Sequence, residues 1–563
     1  MKRVLILTLL LAASFAHTQD IAGDWQGTLS AGGTELRLVL HITKSSDGSL
    51  KATLDSIDQP GANGIPVNSI TLKDSKLDLD VAAVHGTYEG KVAADAKTIT
   101  GTWSQGAALP LEFKRAASAV KTEHKPAKPS DIDGTWMGSL DTGAVKLRVV
   151  FHIVNTEDGL VATMDSPDQG MKGMPTTSVS RTGASLKIEA KSIGGAFEGT
   201  IAADQSAIDG KWSQGGGTLP LVLKRVKDQA ELELKRPQVP TRPYPYREDD
   251  VTYDNKVQNV TLAATFTIPQ GTGPFPAVVL ITGSGPQDRD ESLLGHKPFL
   301  ILSDYLTRHG VAVLRADDRG IGKSTGVFSK ATTADFATDT EAGIAYLKTR
   351  SEVNQRKIGL IGHSEGGVIA PMVAARNKDV AFIVMMAGTG VPGDQVLVAQ
   401  GEAIEVAMGK NPDEAAKNAA KEKEMLALVE TEKDETVLEK ELKEKLTGDV
   451  PEAQIGMQIQ QITSPWFRYF LTYDPATALR QVHCPVLAIN GSLDKQVLPS
   501  QNLPAIRKAL EEAGNHSAEI DELAGLNHLF QTAKTGSPTE YSQIEETMSP
   551  VALEKIATWI GKQ

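Results

Sequence analysis

The pentapeptide Gly362-His363-Ser364-Glu365-Gly366 follows the apolar run Ile358-Gly359-Leu360-Ile361 and precedes a stretch with helical periodicity. Gly-x-Ser-x-Gly between a buried strand and a helix is a nucleophile elbow, a sharp turn that projects a serine hydroxyl toward a general base. Glycine is needed two positions before and after the serine because side chains there would collide. The segment therefore predicts Ser364 as a nucleophile within an α/β sheet.

A serine nucleophile works with a histidine base and a carboxylate that orients the histidine. When an elbow of this kind carries the serine, the chain order is serine, acid, histidine. Asp494 follows the apolar strand predicted at 486–491, and His528 follows the strand predicted at 518–523. Both lie beyond the C-terminal ends of strands, where open α/β sheets place their chemistry. We therefore predict a triad of Ser364, Asp494 and His528.

Two backbone amides are expected to bind the oxyanion that forms when the serine attacks a carbonyl group. One is the amide of Glu365, at the start of the helix after the elbow. The other comes from the loop Gly-Ser-Gly-Pro-Gln-Asp-Arg-Asp at 283–290, whose small residues let the backbone approach a substrate. We assign it to Ser284, with Gln287 as the alternative.

The C-terminal part of the chain alternates strand-like and amphipathic helical stretches. This alternation is typical of a doubly wound, mainly parallel α/β sheet, which we assign to 250–563. An insertion rich in Ala, Glu, Lys and Leu predicts a helical cap at about 392–475. The Gly-Lys-Ser at 322–324 ends like a phosphate-binding loop, but Asp317 occupies the position of the first glycine, so we predict no nucleotide site.

The N-terminal part contains two similar segments, at 20–117 and 132–226. Ile21-Ala22-Gly23-Asp24-Trp25 recurs as Ile132-Asp133-Gly134-Thr135-Trp136. Each segment alternates apolar and polar residues between turns, which predicts antiparallel strands. About eight strands per repeat favour a meander closed into a barrel, with a flattened sandwich as the alternative.

Paired histidines and aspartates also recur in the repeats, and we interpret them as strand and turn chemistry rather than as a ligand or metal site; they are His41, Asp55, Asp58, His152, Asp165 and Asp168. Linkers are predicted at 118–131 and, rich in proline, at 227–249. The α/β domain carries a complete triad, so we expect a chain that begins near Arg247 to fold and act without the repeats.

The first residues have the pattern of an export signal. Lys2 and Arg3 precede an apolar run at 4–13, and Ser14-Phe15-Ala16 is a small-x-small cleavage site. We predict a signal peptide at 1–16 and an exported protein, periplasmic or extracellular. No later stretch approaches 18 uninterrupted apolar residues, so the sequence predicts no transmembrane segment.

Composition excludes several classes of protein. The formal net charge of −12 argues against a protein that binds nucleic-acid backbones. A single cysteine, Cys484, excludes an intrachain disulfide and a thiolate metal cluster. The sequence has no cofactor motif and no cluster of metal-ligating residues, so we predict neither a cofactor nor a metal. It makes no prediction of an oligomeric state.

Four segments resemble bacterial α/β-hydrolase carboxylesterases that are grouped with the serine aminopeptidase-like hydrolases. They are the loop at 283–290, the corner Asp-Asp-Arg-Gly-x-Gly-x-Ser at 317–324, the elbow Gly-His-Ser-Glu-Gly-Gly at 362–367 and Trp466-Phe467-Arg468-Tyr469-Phe470. The resemblance covers about 250–563 and implies the α/β-hydrolase fold and ester hydrolysis. Family members usually carry histidine before the first loop glycine, where this chain has Thr282. The repeats resemble accessory domains that precede such esterases.

The leading hypothesis is an exported serine esterase that forms an acyl-enzyme with a small-molecule ester. The nearest alternative is a serine peptidase of the aminopeptidase type, which needs an acidic pocket for a free amine; the sequence alone does not locate one. The alternative from another class is a ligand-binding protein with an inactive hydrolase domain. The complete set of serine, aspartate and histidine in the required order argues against that alternative.

Overall fold

The computed structural model describes the chain in the ranges 21–31, 34–44, 50–56, 65–73, 75–81, 84, 86–93, 95–105, 107–115, 127–141, 146–157, 159–169, 171–214, 217–228, 232, 234–448 and 452–563. The predicted signal peptide at 1–16 lies outside the described residues. The chain forms two units, Met1–Glu123 and His124–Gln563, and the second contains both repeat 2 and the α/β domain. Within these ranges, no helix is long and apolar enough to cross a bilayer.

Repeat 1 forms one antiparallel sheet, whose strands are β1 Gly23–Ala31, β2 Thr34–Lys44, β3 Leu50–Ser56, β4 Ile65–Pro66, β5 Ser69–Lys73, β6 Lys76–Val81, β7 Gly86–Val92, β8 Thr98–Gln105 and β9 Ala107–Arg115. The strand order is β4-β3-β2-β1-β9-β8-β7-β6-β5, in which β1, the first strand of the chain segment, pairs with β9, the last. The amide of Val67 donates to the carbonyl of Ala52 in β3, and the next amide, of Asn68, donates to β6. β4 and β5 are thus two parts of one bent strand. Counted so, the repeat is the predicted eight-stranded barrel.

Repeat 2 has the same topology, with strands β10 Gly134–Asp141, β11 Lys146–Thr156, β12 Gly159–Ser166, β13 Met171–Pro175, β14 Ser178–Thr182, β15 Ser185–Ala190, β16 Gly195–Ile201, β17 Ala207–Gln214 and β18 Gly217–Arg225. The bend lies between β13 and β14. There Thr176 donates to Ala162 of β12 at 3.1 Å, and the next residue, Thr177, donates to β15. The two repeats are therefore built alike, as their sequences predict.

The repeated Gly-x-Trp explains how each barrel begins. Gly23 has a φ of +128°, a conformation that favours glycine. Trp25 is fully buried, and its indole donates to the carbonyl of Ile21 at 2.9 Å. The guanidinium of Arg115, at the end of β9, stacks on the indole at 4.5 Å from the ring centre. Repeat 2 keeps each of these contacts.

The recurring histidines make strand-to-strand hydrogen bonds, which agrees with the interpretation of strand chemistry, while Asp58 lies outside the described residues. His41 on β2 contacts Asp24 Oδ1 through Nδ1 at 2.7 Å and Asp55 Oδ2 through Nε2 at 3.1 Å. Burial lowers the pKa of His41, but the hydrogen bonds and charges of the two aspartates raise it by more, so the net pKa lies above its usual value. Repeat 2 has Thr135 at the position of Asp24, and only one carboxylate, Asp165, contacts its histidine.

We predict that the stability of repeat 1 depends on the charge of His41. A histidine whose pKa is raised on folding stabilises the fold fully below its unfolded pKa of about 6.5, and this stabilisation is lost as the pH rises through the folded pKa. His41→Gln should therefore lower the unfolding midpoint of repeat 1 at pH 5.5 and change it little well above the folded pKa. Tryptophan fluorescence melts across pH 5.5–9 measure this, with the corresponding repeat 2 histidine replaced by Gln as the control. An equal loss at all pH values would contradict the prediction.

The α/β domain is built on an eight-stranded sheet formed by β19 Arg247–Asn255, β20 Val260–Ile268, β21 Phe275–Ile281, β22 Ala312–Ala316, β23 Val353–His363, β24 Val380–Met386, β25 Val486–Gly491 and β26 Ala518–Leu523. The order is β19-β20-β22-β21-β23-β24-β25-β26, parallel from β22 to β26, with β19 and β20 antiparallel at one edge. The sequence analysis did not predict these two edge strands.

The helices of this domain are α1 Pro298–Arg308, α2 Thr333–Leu347, α3 Gly366–Ala374, α4 Gly393–Ala407, α5 Pro412–Thr431, α6 Glu435–Leu446, α7 Glu452–Ile462, α8 Pro465–Thr472, α9 Ala476–Leu479, α10 Pro499–Glu512 and α11 Pro550–Ile560. Helices α2, α3, α9 and α10 contribute to the core on one face of the sheet, and α1 and α11 to the core on the other. Helices α4–α8 are inserted between β24 and β25, and most of them share a separate apolar core. This insertion is the predicted helical cap.

The proline-rich segment before β19 packs on the α/β domain. Arg236 donates to the carbonyls of Leu294 at 2.8 Å and of Ser542 at 3.0 Å. Gln238 donates to Met548 at 2.7 Å and accepts a hydrogen bond from the same residue's amide at 3.0 Å. The segment expected to be a linker thus ties the start of the domain to the stretch before its last helix.

A chain that begins at Arg247 omits these contacts. Since a buried hydrogen bond contributes about 1 kcal/mol, we expect this chain to unfold with a free energy about 2–4 kcal/mol lower than one that begins at Leu234. Urea denaturation of the two chains measures the difference. In the longer chain, Arg236→Ala should reproduce part of the loss, and equal midpoints for the two chains would contradict the prediction.

Candidate active site

The elbow forms the turn that its sequence predicts. Ser364 follows β23, has a φ of +52° and is partly exposed, and its amide donates to the carbonyl of Met386 at 2.8 Å. A Cβ atom on Gly362 would overlap the carbonyl oxygen of Gly366, and one on Gly366 would overlap that of Ile281. Glycine is therefore required at both positions, and the strained serine is held by the turn.

The predicted acid and base are brought together by the loops after β25 and β26. His528 Nδ1 donates to Asp494 Oδ2 at 2.8 Å. The other carboxylate oxygen, Asp494 Oδ1, accepts the amides of Gln496 at 2.8 Å and Val497 at 2.9 Å. Asp494 is 1% exposed and His528 4%. Because an ionised carboxylate can only accept hydrogen bonds, Nδ1 carries a proton and Nε2 of the neutral imidazole is left as a base.

The histidine loop is tied to the elbow through the residue before the serine. His363 Nε2 donates to the backbone carbonyl of His528 at 3.0 Å, and the two imidazole centres are 4.9 Å apart. The loop after β21 reaches the same place, since a Cβ atom on Gly283 would lie 3.3 Å from the Cβ of Ser364. The loops after β21 and β26 therefore both contact the elbow, the first at Ser364 and the second at His363.

The candidate oxyanion amides differ in whether their N–H groups already donate a hydrogen bond to another group of the protein. The amide of Gln287 donates to Asp318 Oδ2 at 2.9 Å. Within the described residues, the amides of Ser284 and Glu365 have no protein acceptor. Thr282, which stands where histidine is usual, donates from its hydroxyl to Asp318 Oδ1 at 2.8 Å and so helps to hold this loop.

The side chain of Glu365 links the elbow to the cap, a role that the sequence analysis did not assign. The carboxylate is 4% exposed and accepts Thr333 Oγ1 at 2.6 Å and Trp466 Nε1 at 2.8 Å. Burial raises the pKa of Glu365. The two hydrogen bonds lower it by less, so the pKa lies above its usual value. Trp466 belongs to one of the segments that carry the family resemblance, which was the available signal for it.

A small cavity lined by apolar side chains and several carboxyl groups lies next to the start of the loop after β21. It has a volume of about 50 Å³, and the acidic residues that line it are Asp317, Asp318, Asp339 and Glu365. Since a water molecule needs about 10–15 Å³ in such a measure, the cavity has room for a few waters. The described residues contain no group of three or more His, Cys, Asp or Glu side chains placed to bind a metal ion, and the carboxylates of this cavity do not form one.

Comparison with known proteins finds similar sequences, among them an esterase. The X-Pro dipeptidyl-peptidase (S15) family matches residues 258–521. Esterase EstD of Thermotoga maritima is 27% identical over 322 residues, which cover 57% of this chain and 69% of that protein. An uncharacterized 31.7 kDa protein of Escherichia coli, in the traX-finO intergenic region, is 26% identical over 273 residues, or 47% of this chain and 88% of that protein.

Solved structures give matches of lower identity. The esterase Pf2001 of Pyrococcus furiosus is 17% identical with a TM-score of 0.38, and the match covers 58% of this chain and 96% of that one. Est1E of Butyrivibrio proteoclasticus, with ferulic acid bound, is 18% identical with a TM-score of 0.33, over 56% of this chain and 98% of that one.

The strand order, the elbow and the sequence relatives together define the C-terminal domain as an α/β hydrolase. The α/β-hydrolase fold that the family resemblance implies is therefore confirmed. The chain is a hydrolase with an α/β-hydrolase domain that follows two β-barrels, and its sequence is similar to an esterase and to the X-Pro dipeptidyl-peptidase family.

Proposed function

We propose that this protein is an exported serine esterase that cleaves small carboxylic esters through an acyl-enzyme. The observation that carries the proposal is the hydrogen bond of 2.8 Å between His528 and Asp494, together with the contact of His528 with the elbow that holds the strained Ser364. A carboxylate that fixes the tautomer of a histidine beside an elbow serine is the arrangement that activates a hydroxyl for attack.

In the proposed reaction, Ser364 Oγ attacks the ester carbonyl carbon while His528 Nε2 takes the hydroxyl proton. The oxyanion is bound by the amides of Ser284 and Glu365, which have no other protein acceptor among the described residues. Collapse of the tetrahedral intermediate breaks the bond to the alcohol oxygen, and His528 returns the proton to that oxygen. Water then attacks the acyl-enzyme in the same way, which releases the acid and restores Ser364.

The peptidase alternative has one specific observation in its favour, the match to the X-Pro dipeptidyl-peptidase family. A peptidase of that kind has to bind a free amine, and the carboxyl-lined cavity next to Glu365 offers negative charge. With about 50 Å³, however, this cavity has room for a few waters and not for an aminoacyl group. This cavity therefore does not supply the amine pocket that the peptidase alternative needs.

Matched substrates separate the two functions. We expect kcat/KM for p-nitrophenyl acetate or butyrate to exceed that for alanyl-prolyl-p-nitroanilide at least 100-fold, with no change after treatment with EDTA. A preference for the anilide would identify a peptidase. Loss of ester hydrolysis in EDTA that zinc or calcium restores would contradict the serine mechanism. Absence of turnover on both substrates would favour an inactive hydrolase domain.

A further inference from the structure

Glu291 is a buried carboxylate that the proposed reaction does not use. It lies in the loop after β21, is 6% exposed and has a φ of +51°, which non-glycine residues rarely adopt. Its Oε1 accepts the amide of Gly283 at 2.8 Å and contacts His363 Nδ1 at 3.0 Å. Its Oε2 is buried and has no hydrogen-bond partner in the described part of the chain. Backbone strain and an unsatisfied oxygen both reduce stability, so packing alone does not explain this side chain.

His363 faces hydrogen-bond acceptors with both ring nitrogens. Nδ1 contacts the Glu291 carboxylate, and Nε2 lies 3.0 Å from the carbonyl oxygen of His528. A neutral imidazole has one N–H and can donate to one of these groups, whereas an imidazolium donates to both. Burial lowers the pKa of His363, but the charge and hydrogen bond of Glu291, the His528 carbonyl and the charge of Asp494 together raise it by more, so the pKa lies above its usual value. The geometry and the charge both favour a buried ion pair.

We propose that Glu291 and His363 form a bridge that positions the oxyanion loop and the histidine loop around the serine. One end of the bridge holds the amide of Gly283, next to Ser284, and the other holds the carbonyl of His528. His363, which makes both of the contacts between the two ends, belongs to the elbow itself. The bridge rests on the proposed function, since it acts through the oxyanion amides and the base. Glu291 and His363 are positioning residues, because neither contacts the reacting atoms.

The bridge predicts how neutral replacements act. With Gln at position 291, nothing holds the second proton on His363, and a buried neutral ring loses one of its two hydrogen bonds. The loop at 283–290 or the loop of His528 is then released. A displacement of about 1 Å at an active site lowers the rate by up to about 100-fold. We therefore expect the loss to appear in kcat and not in the binding of a small ester.

The test measures kcat and KM for p-nitrophenyl acetate in the full-length chain with Glu291→Gln, His363→Gln and both. Each single variant should lower kcat about 10–100-fold and leave KM within threefold. The double variant should be no more than about threefold worse than the poorer single variant, because both remove the same bridge. Multiplication of the two losses, or kcat within twofold of wild type in a folded Glu291→Gln variant, would overturn the proposal.

His296 provides the matched control. It is also a fully buried histidine, and its Nε2 lies 2.8 Å from the carbonyl oxygen of Tyr541. His296→Gln should lower the melting temperature but leave kcat within twofold. A loss of kcat in this control equal to that in His363→Gln would mean that any buried histidine gives the effect, and the bridge would be refuted.

Two further measurements keep the result decisive. If the variants do not fold, ¹⁵N-histidine NMR of a His41→Gln chain at pH 7, which lacks the other histidine with a raised pKa, should still give a ring with both nitrogens protonated, and a neutral His363 ring would refute the ion pair. Ser364→Ala is assayed in parallel. If that variant is inactive while Glu291→Gln is fully active, the bridge alone is wrong. If Ser364→Ala stays active, the proposed function fails, and the bridge fails with it.

Discussion

Ser364→Ala should abolish ester hydrolysis and leave the fold unchanged. Loss of the nucleophile of a catalytic triad typically lowers kcat by about 10⁴–10⁶. Alanine lacks only the hydroxyl, and the close contacts of the turn are made by the glycines on either side and by backbone atoms. Initial rates on p-nitrophenyl acetate and a thermal melt measure the two effects.

Ser292→Ala is the matched control for this variant. Ser292 is an exposed serine in the loop after β21, and the structure gives its side chain no part in the site. Its replacement should leave the rate within twofold. Turnover of Ser364→Ala above about a hundredth of wild type would mean that the nucleophile lies elsewhere.

Asp494→Asn should lower kcat by about 10³–10⁴. Asp494 Oδ1 is already occupied by two backbone amides, so the Asn amide group would point at His528 Nδ1. Nδ1 would then have to accept a hydrogen bond, the ring proton would move to Nε2, and Nε2 could no longer take the proton of the serine. KM for a small ester should change little, because Asp494 is buried and does not face the substrate.

Asp521→Asn tests whether any loss of a carboxylate near this loop has the same effect. Asp521 lies on β26, the strand before His528, and pairs with Lys555. Its replacement should leave kcat within twofold. If Asp494→Asn were folded and within tenfold of wild type, the proposed role of Asp494 would be wrong.

The parts of the structure that the sequence predicted are those with local signals. The elbow carries its own steric requirement in two glycines, and the core strands of the α/β sheet are runs of apolar residues. The barrels followed from alternation and from the internal repeat. Within the barrels, the bend in one strand was not predicted. Its two halves in repeat 1, β4 and β5, are short and pair with different neighbours.

The parts that the sequence did not predict depend on contacts between distant residues. β19 reads Arg-Glu-Asp-Asp-Val-Thr-Tyr-Asp-Asn, and its charges conceal a strand that lies at the edge of the sheet. Arg236 contacts residues about 300 positions away, so its segment looked like a free linker. Glu291 and His363 are 72 positions apart, and no spacing rule connects a loop carboxylate to the variable residue of an elbow.

The central claim is that Ser364 is the residue that becomes acylated. A fluorophosphonate probe reacts with a serine that an adjacent base activates, and mass spectrometry of a digest locates the modified residue. We expect one equivalent of label per chain on the peptide that contains Ser364, with ester hydrolysis lost in proportion and no labelling of Ser364→Ala. Labelling at another serine, or full labelling of Ser364 with hydrolysis unaffected, would contradict it.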